Sequence, residues 1–243
     1  MGKSNQSTQE INSQAQNPLG TAPVGGLIAK FAIPAIISML VSAMYNIVDQ
    51  IFIGQGVGML GNAATNVAFP VTTIATALAL LLGIGGASNY NLEMGAGQEK
   101  KASGIAGTAL SSLVISGLIL AVIALVFLKP LLTLFGATTD VMPYAVAYTG
   151  ITALGLPFYI LSVGGNHVVR ADRSPTYSMT CIMIGAIINT ILDPVFIFVF
   201  GWGIKGAAWA TVIGQVVSGV LVIVYFWKFR NMYLTGAMLK PKM

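Results

Sequence analysis

The chain has 243 residues, of which 56% are hydrophobic and 8% charged, and its mean hydropathy is +0.82. An ordinary soluble domain carries about 25% charged residues, so this composition excludes one and points to a membrane protein. The net charge of +5 is distributed as at a membrane surface, not as in a nucleic-acid-binding patch, and the single cysteine, Cys181, excludes a disulfide framework within the chain.

Residues 1–26 are rich in Gln, Asn, Ser and Thr and lack large apolar groups. They cannot bury a core and are expected to form a disordered cytoplasmic tail. The first apolar run starts too late and is too long for a signal peptide. Six apolar runs follow, at about 27–53, 63–86, 102–128, 141–163, 175–199 and 206–228, each near the ~20 residues of a spanning helix. The expected fold is an all-α polytopic membrane lobe over 27–228, followed by a basic cytoplasmic tail at 229–243. One side of this topology holds Lys3, Lys30, Lys100, Lys101, Arg170, Arg173, Lys228, Arg230, Lys240 and Lys242. The other holds only Lys129 and Lys205. The positive-inside rule puts the first set, and both termini, in the cytoplasm.

Polar residues interrupt the apolar runs at helical spacing. Span 1 carries Ser38, Ser42, Tyr45 and Asp49 on one face, with Pro34 one turn before the stripe. Span 5 carries Asn189 one turn before Asp193, and span 6 carries Thr211, Gln215 and Ser218 on one face. Span 2 offers Asn66 and Thr73, seven residues apart. These stripes are too polar for lipid, and two roles stay open for them: hydrogen bonds between helices, or the lining of a water-filled cavity. Tyr45, Ser42, Asn66 and Gln215 are the expected cavity residues. Pro34 and Pro194 are expected to bend or loosen their helices.

Asp193 has no basic residue at comparable depth in any span. A carboxyl so placed is expected to hold a proton, a sodium ion or a cationic substrate, and to exchange one for another. Asp49 lies nearer the outer end of its span, where solvation is the competing role. Counted from the cytoplasmic ends, both acids fall in the outer half of the bilayer, and one outward-opening cavity is expected to serve both. Asp49-Gln-Ile-Phe-Ile matches Asp193-Pro-Val-Phe-Ile, and Gly61-Asn-Ala-Ala-Thr-Asn resembles Gly206-Ala-Ala-Trp-Ala-Thr. Both pairs run in the same direction, as in an internal repeat. Cys181 is expected to be a buried packing residue and His167 a solvated loop residue. No phosphate-binding loop, dinucleotide fingerprint, metal-ligand cluster or nucleophile elbow occurs, which disfavours ATP-driven pumping by this chain.

Ile33-Pro34 through Tyr45-Asn46-Ile47-Val48-Asp49, Gly95-Ala-Gly97 with Glu99-Lys100-Lys101-Ala102, Arg170-Ala-Asp172, and Asn189-x3-Asp193 with Gly206-Ala-Ala-x-Ala-Thr211 together resemble the multidrug and toxic compound extrusion (MATE) transporters, over about residues 25–235. The last motif is the most specific and is similar to the prokaryotic multidrug-efflux branch. The resemblance implies the amino-terminal six-helix lobe of a secondary transporter in a prokaryotic cell membrane. It implies export of cationic or amphipathic drugs in exchange for H+ or Na+, without a cofactor or any metal beyond Na+. It further implies a cation-coupling site at Asp49, Asn189, Asp193 and Thr211. The sequence departs from the family in two ways. The family has twelve helices in two lobes and this chain six, so a second lobe, as a separate chain or a homodimer mate, is the expected partner beside the lipid bilayer. Arg173 also stands where a glycine is usual. Two alternatives are a non-transporting truncated half or partner subunit, and an intramembrane aspartyl protease. The latter would need Tyr-Asp and Gly-x-Gly-Asp motifs, whereas Val48 precedes Asp49 and Leu192 precedes Asp193.

Overall fold

The computed structural model describes residues 24–228; the expected tail at 229–243 and all but the last three residues of the tail at 1–26 lie outside this range. The helices, in chain order, are α1 Val24–Gly56, α2 Met59–Gly95, α3 Glu99–Val126, the short α4 Leu128–Leu134, α5 Met142–Ala171, α6 Pro175–Pro194 and α7 Ile204–Lys228. A π-helical turn, Val195–Val199, continues α6. Six of these segments are long and apolar enough to cross a membrane. The described residues form an all-helical, multi-pass membrane lobe.

The helices outrun the apolar runs that announce them. α2, expected at 63–86, spans 37 residues, or about 55 Å at 1.5 Å per residue. Its polar continuation Ser88-Asn-Tyr-Asn-Leu-Glu93 keeps helical hydrogen bonding beyond the hydrocarbon. What stops it is Gly97, in the left-handed region at φ 74, where the Gln98 N–H reaches back to the Glu93 carbonyl. α5, expected to end near 163, continues to Ala171 and ends on the same motif with Arg173 at φ 60. The Arg173 N–H donates to the Arg170 carbonyl and the Ser174 N–H to the Val169 carbonyl. This accounts for the glycine expected there: an L-residue at this dihedral costs about 1–2 kcal/mol. His167 is therefore inside a helix, half-buried, and not in a solvated loop.

α5 is the hub. It packs against α2, α3 and α7 around a core of small residues and a few large ones, among them Ala75, Ala79, Leu113, Ile160, Val168, Val222 and Phe226. Cys181 belongs to this core and is buried. α1 is peripheral and packs chiefly on α6. Among the described residues of α1, only Ser38, Asp49 and Ile53 are buried. Its other face presents Ile33, Met39, Leu40, Met44 and Ile47, suited to lipid or to another apolar surface.

Two close approaches set the α6–α7 corner. Gly185 and Gly214 face each other so closely that a Cβ on Gly214 would lie 2.8 Å from the Gly185 carbonyl oxygen. Gly206 packs on the π-helical turn, where a Cβ would lie 2.8 Å from the Phe196 carbonyl. Pro194 has no N–H to donate, and the turn after it bonds with a wider register, Phe200 N–H to the Val195 carbonyl at 2.9 Å. Pro34 lies within α1, and the helix continues on both sides of it.

Candidate functional site

Asp49 of α1 and Asp193 of α6 come together at the α1–α6 contact, 7% and 0% exposed. Their carboxyl groups are immediate neighbours. Two carboxylates cannot hydrogen-bond each other, and in a medium of low dielectric they repel; a proton or a sodium ion between them removes the repulsion. One turn before Asp193, Asn189 is 3% exposed and donates from Nδ2 to Thr211 Oγ1 at 3.5 Å, while Thr211 donates to the Ala207 carbonyl at 3.0 Å. The Gly185–Gly214 approach is what brings α7 near enough for this contact.

The hydrogen-bond accounts here do not close. Asp49 Oδ1, both carboxyl oxygens of Asp193 and Asn189 Oδ1 are buried and have no donor. Leaving one such acceptor unsatisfied costs about 1–3 kcal/mol. All four atoms are hard oxygens, as is Thr211 Oγ1, and they belong to the donor class that suits H+ or Na+. No group of three or more His, Cys, Asp or Glu able to hold a metal occurs among the described residues.

Three neighbours complete the cluster. Tyr148 of α5 sits with its phenol beside Thr211 and close to Asp49 and Asp193. Gln50 lies against Asp49, and its side-chain oxygen accepts from Thr65 of α2 at 3.1 Å. Tyr45 of α1 is next to Asp49 and Tyr159. The sequence reading missed Tyr148 and Gln50. A signal for Tyr148 existed: Tyr148, Thr152, Tyr159, Ser162 and Asn166 share one face of α5 at helical spacing.

Beside this cluster lies a cavity of about 450 Å3. Ser38, Ser42 and Tyr45 of α1, Tyr159, Ser162 and Asn166 of α5, Asn189 of α6, and Thr211 and Gln215 of α7 contribute to its wall, as do His167 and Arg170. Asp49 and Asp193 do not line it; they sit behind Tyr45, Asn189 and Thr211. The acids thus share a site, and the cavity lies beside them without including their side chains in its wall. Tyr45, Ser42 and Gln215 are in its wall, and Gln215 Oε1 is another buried acceptor without a donor. Asn66 is not: it is exposed on α2, away from the cavity. Its spacing to Thr73 defined a face of α2 but not what that face meets. The hydroxyls also divide. Ser218 bonds Ser162 across α5 and α7 at 2.6 Å, whereas Ser38 and Thr73 bond carbonyls of their own helices.

A membrane lobe with paired buried acids beside an amphipathic cavity has the architecture of a secondary transporter. Comparison with known proteins makes the class specific. The MatE family model matches residues 34–195, and the chain belongs to this family of transporters, not to a family of enzymes. It is 31% identical over 196 residues to "Multidrug export protein MepA" of Staphylococcus haemolyticus, covering 81% of this chain and 43% of that protein. It is 32% identical over 215 residues to "FAD transporter" of Shewanella oneidensis, covering 84% and 47%. Among solved structures, that of the MATE multidrug transporter DinF-BH in complex with rhodamine 6G superposes with a TM-score of 0.82 at 36% identity, covering 88% of this chain and 48% of that one. "Crystal structure of MATE in the bent conformation" superposes with a TM-score of 0.78 at 29% identity, covering 84% and 45%. The chain spans about half the length of the curated relatives it matches.

Proposed function

We propose that this chain is one lobe of a cation-coupled efflux transporter. Asp49, Asn189, Asp193 and Thr211 take up H+ or Na+, with Tyr148 oriented against Thr211. The cavity takes amphipathic compounds of the kind named for the relatives: drugs, cationic dyes such as rhodamine 6G, and flavin nucleotides. The observation that carries the reading is the set of four buried oxygens without donors on Asp49, Asp193 and, one turn before it, Asn189. Buried acceptors normally find donors, and two adjacent acids with a neighbouring amide oxygen that lack them support a bound cation as the partner.

Alternating access needs a second lobe to rock against. We propose that a second six-helix unit, on another chain or on a second copy of this one, supplies it. The lysine and arginine asymmetry supports a topology with both termini in the cytoplasm of a prokaryotic cell, the lobe spanning the cell membrane from 27 to 228 between a tail at 1–26 and a basic tail at 229–243.

Ion binding is testable on the purified chain. A bound ion stabilises the folded state by RT ln(1 + [L]/Kd), about 2.7 kcal/mol at a hundredfold excess over Kd. Thermal unfolding in detergent is expected to shift upward with Na+, or with protons in its absence. Asp193→Asn is expected to abolish that shift while remaining folded, because asparagine keeps the shape and removes the charge. A wild-type-sized shift in Asp193→Asn refutes the assignment.

A further inference from the structure

The cavity wall carries charge of the opposite sign to the ion site. Arg170, near the end of α5, lines the cavity and is half-buried. Among the described residues, its only side-chain hydrogen bond runs from Nε to Ser178 Oγ of α6 at 3.0 Å, and Ser178 is fully buried. That bond fixes the guanidinium across α5 and α6, and among the described residues neither terminal nitrogen has an acceptor. Among the described residues no carboxylate pairs with it. Asp172, two residues on, instead accepts from Tyr90 and Tyr225, at 2.6 Å each. His167, one turn earlier, adjoins Arg170 and lines the same wall. Asn166, 1% exposed and four residues before Arg170, also lines the cavity, and its Oδ1 has no donor.

A half-buried cation with no carboxylate partner among the described residues, in the wall of a largely apolar cavity, offers its free N–H donors to an anion in that cavity. We propose that Arg170, with His167 beside it, is a carboxylate-binding subsite, so that the cavity takes amphipathic molecules bearing a carboxylate as well as purely cationic ones. The proposal rests on the reading of this cavity as the substrate site and specifies its chemistry. The guanidinium fork grips a carboxylate with two parallel N–H donors. Tyr45, Tyr159, Leu80 and Ile182 flank a flat apolar body above it. The unmatched Asn166 oxygen accepts an N–H or O–H carried near the carboxylate. Ser38, Ser42 and the Ser162–Ser218 pair give the remaining wall weak polarity without charge, which leaves Arg170 to select the anionic end.

The test uses two dyes with the same ring system: rhodamine 6G, an ethyl ester, and its free acid. Binding to the purified chain in detergent is read by fluorescence polarisation. The wild type is expected to bind the acid at least as tightly as the ester. Arg170→Gln is expected to weaken the acid about tenfold, as for loss of a charge-assisted hydrogen bond, and to leave the ester within about twofold. Arg170→Lys keeps the charge, loses the fork, and is expected to fall between; it also serves as the test where Arg170→Gln does not fold. Equal effects on both dyes, or none on either, overturn the subsite while leaving the cavity's role intact. Failure of both dyes to bind the wild type overturns the substrate-cavity reading, and the subsite with it.

Discussion

The α6–α7 crossing gives the sharpest mechanical prediction. Gly214→Ala adds a Cβ that would sit 2.8 Å from the Gly185 carbonyl oxygen and 3.2 Å from Asn189 Cβ. Ordinary contact begins at 3.4 Å, so the helices must part by about 3.4 − 2.8 = 0.6 Å. The obstacle is backbone, which cannot rotate away as a flexible side chain can. Overpacking of this kind costs about 1–3 kcal/mol, and at about 2–4 °C per kcal/mol for a chain of this size the melting temperature in detergent should fall by several degrees. The Asn189–Thr211 hydrogen bond is already at 3.5 Å. Added separation breaks it, so ion-dependent stabilisation should weaken along with global stability. Gly104→Ala is the control, since a Cβ there meets nothing within 4 Å. The comparison is made by thermal unfolding of both variants with and without Na+. If Gly214→Ala melts with Gly104→Ala and keeps the full ion response, the close approach does not set the geometry of the site.

Two other changes isolate single features. Arg173→Gly should stabilise the chain by about 1 kcal/mol, because Arg173 closes α5 at φ 60, a conformation glycine adopts without strain; unchanged or lowered thermal stability would contradict this. Tyr90→Phe removes one of the hydroxyls that tie α2 and α7 to Asp172 and should cost about 1–3 kcal/mol, read by the same melt; a loss under about 0.5 kcal/mol would mean that the tie carries little of the packing.

How far the sequence reaches depends on what each physical signal encodes. Hydropathy located all six spans, because burying an apolar run in lipid is a property of the run itself. It misjudged their ends, because a helix stops where a cap stops it. Gly97 and Arg173 close α2 and α5 well beyond the hydrocarbon, and only the first is a residue type that announces a stop. Periodicity put Ser38, Ser42 and Tyr45 on one face, and they do share the cavity wall. It could not say which neighbour that face meets, which is how Asn66 came to be counted with them. Tyr148 was passed over because its phenol gains meaning only from tertiary contact with Thr211. A span ending near 163 leaves no place for Arg170 inside a helix, whereas α5 runs on to Ala171 and includes it.

α1 contributes to both the proposed ion site and the cavity. Its buried contacts among the described residues are Ser38, Asp49 and Ile53, and its main neighbour is α6. We propose that the Asp49–Asp193 pair sets how tightly α1 is held there. When both acids are charged they push α1 away from α6; a shared ion pulls them together. The same helix supplies Ser38, Ser42 and Tyr45 to the cavity wall, so a change at the acids reshapes the surface a substrate meets. We propose this as the link between ion and substrate, and amide hydrogen exchange tests it locally. Adding Na+, or protons in its absence, should slow exchange in α1 between Pro34 and Ile53 in the wild type, with much less change in the α5 core. Asp193→Asn should show no ion-dependent slowing there. Uniform slowing over all helices would mean that the ion stabilises the lobe as a whole and does not act through α1; ion-dependent slowing of α1 in Asp193→Asn would place the ion elsewhere.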